Sequence, residues 1–250
     1  MTTTVLEHSH EPAEIAARLQ ETTQHSYLSD FVYGAIDGTV TTFAVVSGVA
    51  GAALPAEVIV ILGLANLVGD GFSMAASNYL GTRTDRQLLE KARRMERRHI
   101  RLDPEGEREE IRQIYASKGF SGERLDDVVD TITSDEEQWI NTMLTDELGL
   151  QLTTPSSFKA AATTFVAFIL IGLIPLLSFV LQLVTPISLQ SAYAWSAALT
   201  AIAFFLVGAA KSVFVEQKWY ASGLETLVVG GTAAGLAYVV GAWLRQIIPT

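Results

Sequence analysis

The chain has 250 residues, a formal net charge of −10, no cysteine, 49% hydrophobic and 18% charged residues, and a mean hydropathy of +0.31. Without cysteine there is neither a disulfide nor a thiolate metal site, so metal chemistry falls to Asp, Glu, His and Met. The acidic balance excludes a nucleic-acid surface, which needs clustered basic residues unopposed by carboxylates.

Charge is placed unevenly. Of 17 Lys and Arg residues, 13 lie between Arg83 and Lys159, and 17 of the 27 acidic residues lie between Asp85 and Glu147. The remainder is nearly stripped of charge, which describes a membrane protein carrying one polar insert. The N-terminal segment, 1–27, has no basic start followed by an apolar core, so no cleaved signal peptide is expected. Its HSH tract, His8 and His10, can touch metal, although such tracts are more often disordered.

Five apolar stretches, near 31–52, 56–80, 160–184, 190–214 and 222–244, each approach the roughly 20 helical residues that cross a hydrocarbon layer of about 30 Å. Pro55, Pro186, Tyr193, Trp195, Trp219, Tyr220 and Trp243 mark their ends, and Gly172 with Pro175 predicts a kink in the third. With the N-terminus in the cytoplasm, every basic residue except Arg245 falls inside, as the positive-inside rule requires.

Two carboxylates lie within the first two spans. Asp37 sits near the inner end of the first, and Asp70 sits in the second on a face shared with Asn66, Met74 and Asn78, which recur every four residues. A carboxylate in the hydrocarbon costs several kcal/mol unless it is paired, protonated or facing a wet cavity, so its default reading is functional. Hydrogen bonding between helices, with Met74 as packing, is the competing structural reading. Counted at about 1.5 Å per residue from each inner boundary, Asp37 and Met74 fall at similar depth and can share one ion. Small residues (Gly34, Gly38, Gly48, Gly51, Gly63, Gly69, Gly71, Ala75, Ala76) predict close approach of the first two spans, within a protomer or across a dimer axis.

The insert, about 81–157, reads as helical. The second span continues without a breaker to Asp103-Pro104, where Asp103 caps and Pro104 starts the next helix, which stops at Lys118-Gly119. Ser121 is expected to open a third helix, and Ser134 with Glu137 a capping box for a fourth running through DEEQWINTMLTDEL. Ile111, Ile114, Tyr115, Leu125, Val128, Val129, Ile132, Ile140 and Leu144 suit the core of a small bundle. Glu96 with His99, Glu107 with Glu110, and Met143 with Glu147 are pairs three or four apart, each on one helix face. Converged, they make an oxygen-rich pocket with one imidazole and one thioether, suited to iron(II), manganese(II) or zinc(II) more than to calcium or magnesium. Singly, each glutamate reads as a solvated helix face.

These residues resemble the vacuolar iron transporter and yeast calcium-cross-complementing type of metal transporter. The resemblance rests on Asp37-Gly38, Ser73-Met74-Ala75 with Tyr79-Leu80, the Asp103 to Glu107 run, the Ile114 to Gly119 run and Asp146 to Gly149, and covers the chain from about Ser26 onward. It implies a homodimeric exporter of iron(II), often manganese or other divalent ions, out of the cytoplasm in exchange for protons. It further implies a path lined by Asp37 and Met74 and insert ligands at Glu96, Glu107, Glu110, Met143 and Glu147. Two departures stand out: His99 replaces an expected glutamate, and Ser77-Asn78 replaces the usual Gly-Glu, with Asp70 expected to stand in for the missing carboxylate.

The expected fold is an all-α, multi-pass membrane protein, bacterial and in the inner membrane, with five transmembrane helices and a cytoplasmic helical metal-binding insert. The expected divisions are 1–27, 28–82, 83–157 and 158–250. Its partners are the bilayer, divalent metal ions as substrate and protons, with no prosthetic group and no enzymatic signature. The competing function is a membrane-anchored metal buffer or sensor without transport.

Overall fold

A computed structural model describes residues 11–20, 26–212 and 217–248, so His8 and His10 lie outside the described residues. Among the described residues the regular structure is all helical. After a short helix α1 (Pro12–Gln20) come α2 (Leu28–Gly51) and α3 (Ala56–Leu102). The insert then folds as α4 (Pro104–Ser117), α5 (Glu123–Thr133) and α6 (Glu136–Thr142), the last continuing into a π-helical turn, Met143–Glu147. The last three spans are α7 (Ser157–Gly172) with α8 (Leu177–Gln182), α9 (Leu189–Lys211) and α10 (Trp219–Ile247).

Five of these segments are long and apolar enough to cross a membrane. At about 1.5 Å per residue the 47 residues of α3 extend about 70 Å, twice the hydrocarbon thickness, so its second half must stand outside the bilayer. That half is built almost entirely of strong helix formers and ends where Pro104 disfavours helical geometry in the preceding residue. The Asp103 side chain accepts from the Gly106 amide at 3.1 Å, and Gly119, at φ +97°, takes the left-handed turn that closes α4.

Two expected caps differ. Asp135, not Ser134, caps α6 by accepting from the Glu137 and Gln138 amides, because Ser134 still belongs to the end of α5, where its hydroxyl donates to Thr131 O. Gly122, at φ +58°, precedes α5 in place of a Ser121 cap. The insert core contains Ile111, Leu125, Val129, Ile132, Ile140 and Leu144, with Ile114, Tyr115 and Val128 packed against it. Leu89 and Ile100 of α3 join it, so the projecting half of α3 is a wall of the insert. Arg93 and Arg97 of α3 grip Glu136, Glu137 and Asn141 across that wall.

Within the membrane, α7 breaks at a 3₁₀ turn over Ile174–Leu176, and the Ser196 hydroxyl of α9 donates to Pro175 O at 2.7 Å. The small residues do not chiefly join α2 to α3. Gly34 and Gly38 lie on Thr164 and Phe168 of α7, Gly51 meets Tyr238 and Ala242 of α10, and Gly63 and Gly71 face Leu176 and Phe168. A Cβ at Gly38 would stand 2.5 Å from Phe168 O and 2.9 Å from Phe168 Cα. Gly→Ala in a helix normally gains about 1 kcal/mol, but backbone cannot yield as a side-chain tip can. Gly38→Ala is therefore expected to destabilise by about 1–3 kcal/mol, seen as a lower melting temperature in detergent. Gly69→Ala, with nothing within 4 Å of the new Cβ, should leave it unchanged or raise it; equal behaviour of the two variants would refute the packing argument.

Candidate functional site

The polar faces of α2 and α3 meet in one seam. Asn66 donates to Thr41 Oγ1 at 3.3 Å, and Asn78, three rungs nearer the insert, donates to Asp30 Oδ1 and to Thr164 Oγ1, both at 2.7 Å. In the antiparallel register these contacts set, Asp37 falls level with Asp70, and the two carboxylates are near enough to feel each other's charge. Met74 lies about one turn, roughly 5 Å, closer to the insert than Asp37, because α2 starts three residues earlier than its hydropathy indicates. Asp37 also lines an open cleft of about 640 Å³, mostly apolar, with Tyr33 and Val40 of α2, Lys211 of α9 and Val229 of α10.

Asn78 therefore meets a carboxylate from another helix, Asp30, rather than relying on Asp70 two turns away. Sequence reasoning placed Asp30 outside the span and missed it. The available signal was its position seven residues before Asp37, on the same face of α2.

A second cluster forms in the insert. Glu96 and His99 of α3 and Glu107 of α4 each offer a ligand atom within 4.8 Å of the others. Opposite donors on one ion at about 2.1 Å are about 4.2 Å apart, so binding asks only for small side-chain shifts. Glu96 is 2% and Glu107 6% exposed, and Glu107 Oε2 is buried without a hydrogen-bond partner. An orphaned carboxylate oxygen in a dry pocket is costly unless a proton or a cation sits on it. The His99 Nδ1 lies 3.3 Å from Glu107 Oε1.

Glu110 and Glu147 form the exposed rim, and Met143 is fully buried in the insert core where α6 turns into its π-helical segment. Burial first, then the charges of Glu110, Glu96, Glu147 and Asp103, push the Glu107 carboxyl up to about 7. Burial also raises Glu96, offset by His99, with Glu110 raising it again. Glu147, at the exposed rim, is raised by partial desolvation, then by Glu110 and Glu96, against a lowering by His99. A carboxylate must be deprotonated to ligate a cation, so protons and a divalent cation would compete for such a cluster. Manganese(II) affinity of the metal-free protein should fall about tenfold per pH unit below about 7, where one proton must leave Glu107 for each ion bound. Calorimetry from pH 5.5 to 8 checks this, and a flat profile would refute it.

The family model described as the VIT family matches residues 28–242, spanning both the seam and the insert cluster. The chain belongs to the VIT family. Among its relatives, the vacuolar iron transporter of Toxoplasma gondii is 30% identical over 233 residues, covering 90% of this chain and 77% of the relative. Vacuolar iron transporter 1 of Arabidopsis thaliana is 29% identical over 210 residues, covering 84% and 82% respectively. Vacuolar iron transporter 2 of rice is 28% identical, with 87% of each chain covered. Within the matched residues of this VIT-family chain lie both His99, against Glu107, and Asn78, against Asp30.

Proposed function

We propose that this VIT-family protein moves divalent metal ions, iron(II) foremost and manganese(II) and zinc(II) as further substrates, out of the cytoplasm in exchange for protons. The observation that carries the reading is the orphaned, buried Glu107 oxygen facing Glu96 and His99, with a second set of acids lying between the first two spans. The relatives' names, vacuolar iron transporters, point the same way.

Glu96 and Met74 are 22 residues apart on α3, about 33 Å, so no single ion bridges the two sets. The insert, with Glu96, His99, Glu107, Glu110, Met143 and Glu147, captures metal from the cytoplasm. The seam, with Asp37, Asp70, Met74, Asn66 and Asn78, conducts it. A carboxylate within the membrane alternates between a cation and a proton, so protonation from the far side releases the ion. The basic residues flanking the spans orient the insert and N-terminus to the cytoplasm of a bacterial inner membrane. A second copy of the chain, covering the Asp37 cleft where Tyr33 stands 72% exposed, completes a homodimer and shields that carboxylate from lipid.

Proteoliposomes loaded with a metal-sensitive dye test the reading with iron(II), manganese(II) and zinc(II), with and without a pH gradient. Flux that follows the gradient is the expected result. Metal binding without flux would instead identify a membrane-anchored buffer.

A further inference from the structure

Where α3 leaves the membrane on the insert side, a cleft of about 700 Å³ separates it from the segment that leads into α7. Arg83, Arg86 and Glu90 form one wall, and Thr154, Ser156 and Ser157 form the other. Arg86 pairs with Glu90 at 3.2 Å, but both side chains are more than half exposed, and such a surface pair is easily exchanged for a stronger partner. Arg83 has no ion pair among the described residues. The cleft therefore carries a net positive charge with hydroxyl donors opposite.

The far wall is also the start of α7. No side chain caps this helix, and the Ser156 amide donates to the Tyr27 hydroxyl at 3.1 Å. The amides of the first turn, from Ser157 on, have no acceptor within the helix, and they add the positive end of its dipole to the two guanidinium groups. Beside this polar chamber the spans expose large apolar side chains, Leu80 at 59% and Phe158 at 74%. A cationic, hydroxyl-lined chamber at the membrane boundary, flanked by apolar surface, matches a phosphate whose ester carries acyl chains. With Glu90 as its one carboxylate, the cleft does not suit the divalent cations that the insert cluster fits.

We propose that this cleft is a binding site for the phosphate of an anionic lipid headgroup, held by Arg83, Arg86 and the first turn of α7. Bound there, the lipid ties the projecting stem of α3 to the third span. The assignment is independent of what the protein transports.

The test uses full-length protein in neutral detergent, titrated with phosphatidylglycerol or phosphatidylcholine and read by native mass spectrometry and melting temperature. Phosphatidylglycerol should bind and raise the melting temperature, and phosphatidylcholine should do neither. Arg83→Gln with Arg86→Gln, both exposed and distant from the core, should weaken phosphatidylglycerol binding about 30-fold, from the loss of two interfacial charges. Arg94→Gln with Arg98→Gln removes the same charge further along α3 and should change binding little. Equal losses in the two double variants would overturn the site in favour of diffuse attraction. Stabilisation by inorganic phosphate alone, matching that of the lipid, would overturn the lipid as its source.

Discussion

Replacing Glu107 by glutamine should raise the melting temperature of the metal-free protein at pH 8 and weaken its metal binding about 10–100-fold. The two effects have one origin. The Glu107 carboxyl, pushed up to about 7, is ionised at pH 8 inside a pocket that already holds Glu96, with Glu110, Glu147 and Asp103 adding repulsion. A group whose folded-state value lies above its unfolded one stabilises fully below the unfolded value, near 4.5, and loses that contribution as pH rises through about 7. Glutamine keeps the shape and the hydrogen-bonding capacity but never ionises. The variant should therefore match the parent below about pH 4.5, exceed it increasingly as pH rises toward about 7, and keep that margin at pH 8. Loss of the His99 contact subtracts little, since His99 is 41% exposed. Scanning fluorimetry of both proteins across this range, without metal, decides it. A variant less stable than the parent at pH 8 would mean that Glu107 is a structural ion-pair partner and not a destabilised ligand.

Asp37→Asn should reduce metal flux about 10–100-fold in proteoliposomes while the insert binds metal with unchanged affinity. Separation of the two readouts follows from geometry: Asp37 lies level with Asp70, 26 residues or about 39 Å along α3 from Glu96, and the two sets share no side chain. Asparagine preserves size and removes the charge that a doubly positive ion requires after shedding water. The Asn66–Thr41 and Asn78–Asp30 hydrogen bonds on either side should hold the register of α2 against α3, so the variant should fold. Undiminished flux would remove Asp37 from the path. A parallel loss of metal binding would show that the variant damages the protein generally.

Much of this architecture was legible in the sequence because its causes are local. The spans follow from runs of apolar residues, and the long stem of α3 follows from an unbroken series of helix formers ending at Asp103-Pro104. The kink follows from Pro175, whose ring removes a backbone donor wherever the chain goes. Pairs such as Glu96 with His99 were readable as neighbours on one face because helical periodicity alone aligns them.

What the sequence by itself determined was therefore the set of helices, the polar face of each and the residue types able to hold a cation. Only the tertiary structure decided which faces meet: that Glu107 is buried against Glu96 and His99 while Glu110 and Glu147 stay at the rim, and that Asp30 is the partner of Asn78. It also decided that the glycines of α2 close on α7 and α10 and not on α3. The physical reason is that periodicity specifies direction around one helix axis, whereas burial, register and charge coupling depend on the rotation and offset of two helices, which side-chain packing sets across the whole bundle.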